Sequence, residues 1–379
     1  MQHDIVLIEG DGIGPEITAA AVAVVEASGA AVRWHRCAMG LKAVEQEGTP
    51  LPESTVAAVR QYKVALKGPT TTPIGGGHVS ANVQLRRQLD LYASIRPLRG
   101  FAFSPCHPDE RSEEGSPCVA QARVCRPREN GGPDRKIGTA SSYSHTDRKD
   151  AMNRVSTIVV RENTEGLYKG LEMTVAPGVN VALKVVTEHG CRRIAHAAFA
   201  YARRHGRRRV TVGHKANILK QNDGMFLRCA REIAREYPEI TCDDCLIDAL
   251  CMRLVMDPTQ FDVLLLPNLY GDIVSDLGAG LVGGLGLVPG MNLGDEAAVF
   301  EAVHGSAPDI AGRNQANPLA LIRCAALLLR HIEQNEPAAR IERATDRVLR
   351  GEIRTRDLGG SATTTAFTDA IVSIMKGLK

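Results

Sequence analysis

Ile5-Val-Leu-Ile-Glu-Gly-Asp-Gly-Ile-Gly-Pro-Glu-Ile17 reads as the end of a strand, a glycine turn and the start of a helix. Ile5 to Ile8 is a short, largely β-branched run of the kind that fills a buried strand. Gly10, Gly12 and Gly14 make a tight turn, and Pro15 stands where the first turn of a helix tolerates it. Ile17, Ala20, Ala21, Val24 and Val25 then form an apolar stripe at helical spacing, which Gly29 stops. The unit recurs along the chain. Lys63–Lys67, Thr157–Val160, Arg209–Val212 and Phe261–Leu266 read as strands. Helices are predicted over 82–89 and near 188–204, 217–236, 270–285, 317–333, 337–350 and 364–377. Strands alternating with helices imply an α/β fold with a largely parallel sheet.

The chain has 379 residues, enough for two domains or one large open sheet. Lys and Arg number 46 against 43 Asp and Glu, a balance that argues against a dedicated nucleic-acid binder. Aromatic residues are 4% of the chain, too few for base-stacking platforms. No stretch approaches the ~18 consecutive apolar residues of a membrane span. The start, Met1-Gln-His-Asp-Ile-Val, runs straight into a strand pattern without a basic leader, so a cytosolic location is the expectation. Ten cysteines scattered over such a length are expected to be reduced.

Several motif-like strings carry less than they promise. Gly278-x-Gly280-x-x-Gly283 follows a helical stretch instead of a strand, so the dinucleotide fingerprint lacks its context and small residues for close packing are the better reading. Gly10-x-Gly12-x-Gly14 does follow a strand with the wrong spacing, and remains a plausible anion or ligand edge. Cys242-x-x-Cys245 has no second pair. The basic run from Arg203 to Arg209 lies at a helix end, where cations are favoured. From about 101 to 150 neither period is sustained. The composition there, with Pro105, Pro108, Pro117, Pro127 and Pro133, suits a disordered insertion. A metal clip on Cys106, His107, Cys118 and Cys125 is the competing reading, though the spacing matches no zinc pattern.

The chemistry concentrates elsewhere. Asp272 and Asp276 are four apart, on one helical face, where unpaired like charges destabilise. A hard divalent cation would resolve the conflict; acidic complementation of a helix dipole is the alternative. Asp248 stands in an apolar stretch as a possible third ligand. Arg86, Arg96 and Arg161 supply forks that match carboxylates. Converging arginines and a metal suggest a small polycarboxylate ligand.

These residues lie in motifs that together resemble the isocitrate and isopropylmalate dehydrogenase family of β-decarboxylating dehydrogenases. The motifs are Gly10-Asp-Gly-Ile-Gly-Pro-Glu16, Thr71-Thr-Pro-Ile-Gly-Gly-Gly77, Ser80-Ala-Asn-Val-Gln-Leu-Arg86 running on to Arg96-Pro97, and Arg161-Glu-Asn-Thr-Glu-Gly-Leu-Tyr168. His214-Lys-Ala-Asn217, Asn268-Leu-Tyr-Gly-Asp-Ile-Val-Ser-Asp276, His304-Gly-Ser-Ala-Pro-Asp-Ile-Ala-Gly312 and Asp357-Leu-Gly-Gly-Ser-Ala-Thr-Thr365 complete the set. The resemblance covers nearly the whole chain except about 101–150. It implies that Arg86, Arg96 and Arg161 clamp substrate carboxylates, with Ser80 and Asn82 beside them. Asp272, Asp276 and Asp248 would hold Mg²⁺ or Mn²⁺, with Asp248 reaching in from a second subunit. Lys215, also from the second subunit, would take the hydroxyl proton, and Tyr168 would protonate the carbanion; both roles call for lowered pKa values, which a nearby cation could supply.

The same resemblance implies NAD as cofactor. Asp309 and Ile310 stand where NADP forms carry Lys and Tyr, and a carboxylate repels a 2′-phosphate. Thr71, His304, Gly305 and Asn317 would line the cofactor side. Ser80 and Asn82 resemble the isocitrate branch, which implies oxidative decarboxylation of isocitrate to 2-oxoglutarate; homoisocitrate and 3-isopropylmalate are the rival substrates, and a non-catalytic regulatory subunit the rival role. The implied architecture is a large domain, 1–97 and 283–379, and a small domain, 98–282, that carries an arm at 168–187 and the interface of a homodimer with shared sites.

Overall fold

The computed structural model describes residues 2–72, 80–101 and 153–377. The 101–150 segment, with the proposed disorder and metal clip, lies almost wholly outside the described residues, as do Pro73 to Gly77. A single ten-stranded sheet organises the molecule, in the order β2-β1-β3-β12-β11-β4-β5-β10-β8-β9. The strands are β1 (His3–Ile8), β2 (Val32–Cys37), β3 (Val64–Lys67), β4 (Ala93–Arg99), β5 (Ser156–Glu162), β8 (Arg209–His214), β9 (Thr241–Leu246), β10 (Val263–Leu266), β11 (Pro289–Leu293) and β12 (Ala298–Ala302). Both flanks are parallel. The centre is antiparallel, at β12–β11, β11–β4 and β4–β5. A separate ribbon, β6 (Glu172–Ala176) and β7 (Val179–Ala182), stands off the body.

The helices are α1 (Gly14–Ala27), α2 (Leu41–Glu47), α3 (Glu53–Tyr62), α4 (Ala81–Gln88), α5 (Glu188–Arg204), α6 (Asn222–Ala234), α7 (Ile247–Met256), α8 (Asn268–Leu281), α9 (Leu319–His331), α10 (Asn335–Leu349) and α11 (Thr364–Gly377). Most fall within two residues of the sequence expectation. The helix expected from 217 begins only at Asn222, because 217–221 are spent on turns that place Lys215.

Alternation along each strand divides the core. Ile5, Leu7, Ile95, Val160, Met291 and Phe300 face one way, into a continuous cluster under α1, α5, α6, α9, α10 and α11. The opposite face is covered in two separate patches. Val6, Ile8, Ala65 and Val299 pack under α3 and α4, and Leu98, Val159, Leu264 and Leu266 under α7 and α8. Between the patches the same face carries polar residues. Register aligns them: Asn292 opposes Ser94, Ser94 opposes Arg161, Gly290 opposes Glu301, and Glu301 opposes Lys67. A period of two makes this unavoidable once the neighbouring apolar residues are committed to the other face. The site is this gap between two apolar patches.

Among the described residues no helix is long and apolar enough to cross a membrane. Gly278 lies within α8, where an added Cβ would collide with the Leu98 side chain, so it is a packing glycine. Cys242 and Cys245 are three apart on β9, where side chains alternate, and both are free thiols. The basic run is largely tied down: Arg203 pairs with Glu239, and Arg207 with Asp262.

Candidate active site

The turn at Gly10–Gly14 is largely committed to the protein itself, while Ile13 within it lines a neighbouring cleft. Its backbone donors are consumed inside the protein: Asp11 N–H reaches Pro69 O at 2.7 Å and Ile13 N–H reaches Ser306 O at 2.9 Å. Gly10 and Gly12 have positive φ, and a Cβ on either would strike those same two carbonyls. The Asp11 carboxylate, 6% exposed, accepts from Leu41 N at 2.8 Å and Thr71 N at 2.7 Å. Thr71 Oγ1 then meets Ser306 Oγ at 2.7 Å. The turn thus locks one wall of the cleft, a role for Asp11 that its sequence setting did not reveal.

A polar cleft of about 140 Å³ opens in the gap, lined among others by Asn82, Arg86, Arg96, Asn292, Glu301 and His304. Arg86 projects from α4 and donates from Nη2 to Glu301 Oε1 at 2.6 Å. Lys67 binds Glu301 Oε2 at 2.7 Å, and Asn292 Nδ2 donates to Oε1 at 2.7 Å. Burial alone would raise the Glu301 pKa, but the adjacent Lys67 and Arg86 outweigh it and hold the carboxyl far below the usual range. Glu301 and Lys67 escaped the sequence reading; their only signal is a charge of opposite sign at the same point of two buried strands. Asn82 Oδ1 accepts from Thr70 Oγ1 at 3.0 Å. Ser80 caps α4 by position, with no hydrogen bond from its side chain to the helix.

Arg96 and Arg161 sit on β4 and β5, 6% and 1% exposed. Arg96 donates to Ser275 and lies 3.6 Å from both Asp272 and Asp276. Its pKa is lowered to about 10, by burial first and then by Arg161 and Arg86. The three guanidinium groups therefore feel one another, as a site built for anions requires. Arg161 grips Asn268 Oδ1 from Nε at 2.9 Å and Nη2 at 2.7 Å, and donates to Asp272 from Nη1. Gly271 makes room for it: a Cβ there would stand 2.5 Å from Arg161 Cγ.

Asp272 also accepts from the Tyr168 hydroxyl. Burial would raise the Asp272 pKa, yet Arg161 and the Tyr168 hydrogen bond bring it below the ordinary value. Asp276 goes the other way: burial, and then Asp272 acting against Arg96, raises it. The Tyr168 pKa is raised by burial first and then by Asp272; the lowered value expected from the sequence is one that a bound cation would have to supply. The half-buried phenol beside a carboxylate keeps its proton. Asp248 and Lys215 are placed apart from this group and paired with each other at 2.8 Å. Asp248 opens α7 with its side chain 65% exposed. Among the described residues no three acidic, His or Cys side chains of one chain gather into a metal site. In donor chemistry the Asp272 and Asp276 carboxylates, four residues apart on α8, nevertheless offer the oxygen ligands that a hard cation takes, and the Asp276 side chain is 57% exposed.

Beyond His304 a second cleft of about 420 Å³ is mostly apolar, lined by Ile13, His304, Gly305, Ile310, Asn317 and Asp357 among others. His304 Nε2 is buried without a partner where the two clefts meet, and Arg86 Nε is likewise unpartnered in the first. Orphaned buried donors and acceptors of this kind suit a ligand that spans both clefts. Asn317 is oriented by Asp357 at 2.9 Å and by Leu319 N at 3.0 Å. Asp309 is exposed on the turn beside Ile310.

A polar, arginine-lined pocket joined through His304 and Gly305 to a mostly apolar cleft suits a small anion beside a nucleotide, the parts of a dehydrogenase site. The comparisons agree. A family model described as isocitrate/isopropylmalate dehydrogenase matches residues 4–116 and 135–371. The mitochondrial NAD isocitrate dehydrogenase catalytic subunit 5 of Arabidopsis thaliana is 44% identical over 96% of this chain and 86% of its own. A mitochondrial regulatory subunit of the NAD isocitrate dehydrogenase of Dictyostelium discoideum is 42% identical over 97% of this chain and 90% of its own. The crystal structure of isocitrate dehydrogenase from Methylococcus capsulatus superposes with a TM-score of 0.83 at 44% identity, covering 99% of this chain and all of that one. The chain belongs to the isocitrate/isopropylmalate dehydrogenase family. The family model leaves only 117–134 unmatched within the segment set apart above. The cytosolic expectation is corrected: both named relatives are mitochondrial proteins. The residues of a folded dehydrogenase do not encode its compartment.

Proposed function

We propose that the chain is a catalytic NAD-dependent isocitrate dehydrogenase, converting isocitrate to 2-oxoglutarate and CO₂. The observation that carries this is the convergence of the buried Arg96 and Arg161 with the part-buried Arg86, beside the Asp272 and Asp276 carboxylates, each 3.6 Å from Arg96. Arg86, Arg96 and Arg161 bind the substrate carboxylates and orient the hydroxyl-bearing carbon, with Ser80 and Asn82 at the far edge. Thr71, His304, Gly305, Asp309, Ile310 and Asn317 would hold NAD in the adjoining cleft, where it would supply the hydride acceptor. Asp272 and Asp276, with Asp248 of the partner subunit, would hold Mg²⁺ or Mn²⁺, which would supply Lewis-acid polarisation of the substrate's oxygens. Lys215 of the partner subunit takes the hydroxyl proton. Tyr168, kept protonated by its surroundings, returns a proton to carbon after CO₂ leaves.

Assembly supports the sharing of sites. Leu171, Met173, Val175, Val179, Val181 and Leu183 on the β6–β7 arm are all exposed, and so are Met252, Val255 and Met256 on α7, the helix that carries Asp248. A two-stranded ribbon is marginal by itself and needs a surface to pack on. We assign that surface to a second copy of this chain in a homodimer. We divide the chain into a large unit, 1–97 and 283–379, and a small unit, 98–282, although β4 runs unbroken across 97/98.

The test is NADH formation with NAD⁺ and Mn²⁺, offering isocitrate, homoisocitrate and 3-isopropylmalate separately and NADP⁺ in parallel. Preference for isocitrate with NAD⁺ supports the proposal. One methylene is worth only about 1–3 kcal/mol, so homoisocitrate is the substrate most able to overturn it. No turnover from a folded dimer would leave the regulatory role in its place.

A further inference from the structure

We propose that Asp223 is the positioning residue for Lys215, and that it ties this lysine to the helix carrying Asp272. The inference rests on the reading that Lys215 serves the neighbouring subunit's site. Asp223 is 1% exposed, and buried carboxylates are rare without a function or full pairing. Its Oδ2 accepts the backbone N–H of Lys215 at 2.7 Å. Its Oδ1 accepts from Lys184 Nζ, at the base of the β6–β7 arm. The Tyr270 ring stands beside this pair: Lys184 Nζ lies 4.9 Å from its centre, and the pKa of the Tyr270 phenol is raised by burial first and then by the Asp223 charge. The neighbouring Asn222 Nδ2 fastens Lys184 O at 3.0 Å.

Tyr270 stands two residues before Asp272 on α8, and Asp272 is held by Tyr168 at the other foot of the arm. The arm is therefore pinned at both feet to one turn of α8. One pin passes through Tyr168 and Asp272, the other through Lys184, Asp223 and Tyr270. Lys215 itself lies in a turn outside regular structure, closed by Ile218 N and Leu219 N on its carbonyl at 3.0 and 2.8 Å. The Asp223 carboxylate is what fixes its N–H side. A rigid turn matters here because the lysine must meet a substrate bound in another chain, and misplacement by about 1 Å can cost on the order of 10²-fold in rate.

Asp223→Asn is nearly isosteric. It is expected to lower kcat with isocitrate by about 10²-fold while changing KM by less than about 3-fold, because the arginine clamp is untouched. Trans-complementation separates positioning from general damage. Asp223→Asn and Asp272→Asn chains, each inactive alone, are mixed, dissociated and reassociated. Random pairing gives half heterodimers with one intact site each, so about a quarter of wild-type activity returns. Lys215→Ala mixed with Asp272→Asn is the control for shared sites. If the control recovers activity and Asp223→Asn does not, the Asp223 proposal is overturned while shared sites stand. If neither recovers, shared sites fail, and with them the proposal. Should Asp223→Asn not fold, Lys184→Met, which leaves the Lys215 contact in place, is expected to show a loss of about 10-fold confined to kcat and the same recovery; a rise in KM instead would overturn the proposal.

Discussion

At the scale of single residues, the cleft is held by groups that no substrate need touch. Gly271 is the plainest case. A methyl there would stand 2.5–3.0 Å from Cγ, Cβ and Cδ of the buried Arg161 side chain. Gly271→Ala is expected to raise KM for isocitrate by at least about 10-fold and to destabilise the fold by about 1–3 kcal/mol, measured by steady-state kinetics and calorimetry. Glu301 is the second case. Its carboxyl is ionised between Lys67 and Arg86, so its folded pKa lies below the value of 4.5 for the unfolded chain. Its contribution is therefore complete above that pH and is lost as pH falls below it. Glu301→Gln should destabilise the protein by about 3–5 kcal/mol at neutral pH, because two buried cations lose their partner. The gap between variant and parent should narrow as pH drops below about 4.5. Chemical denaturation across that range checks both the size and the sign. Arg86, Arg96 and Arg161 were legible as candidates in the sequence. Glu301 was not, since a glutamate in an apolar run shows its meaning only when Lys67 arrives beside it on another strand.

At the scale of elements, periodicity did most of the work. α5 and α11 run over the spans that the apolar spacing predicts, because each has a single face to bury. The exceptions are instructive. Residues 217–221 carry no helix because the chain must turn there to present Lys215, which tertiary contacts to Asp223 decide. The Arg161–Glu165 run looks like a ligand-binding string, yet most of it is architecture. Glu162 accepts from Thr164 N at 2.7 Å and Glu165 N at 2.9 Å, Asn163 binds Leu91 O at 3.1 Å, and Glu165 accepts Thr187 N at 2.8 Å beside the start of α5. The arm is the element with least internal support. Val175→Glu combined with Val181→Lys is expected to abolish dimerisation without unfolding the body, because neither side chain is buried in the single chain. Sedimentation should show a monomer, and that monomer should be inactive if sites are shared.

At the scale of the molecule, the sheet is one continuous surface with a covered face and an interrupted face, and the interruption is the site. Ligands that fill it bridge α4 on one patch and α8 on the other. Isocitrate with Mn²⁺ at about 100 times the dissociation constant should then stabilise the fold by about 2.7 kcal/mol, and a chelator should remove the gain. Thermal melts with each ligand alone and together test this; a response to NAD⁺ but not to isocitrate would place the anion pocket elsewhere. The sequence by itself determined the α/β alternation, the family, and the residue types of the site, because periodicity and short motifs are local properties of a chain. Only the tertiary structure decided which face of each strand is polar in common, which carboxylate neutralises which arginine, and that Lys215 and Asp248 stand apart from Asp272 and Asp276. Those facts depend on register between strands distant in sequence, and a strand's own residues do not specify its neighbour.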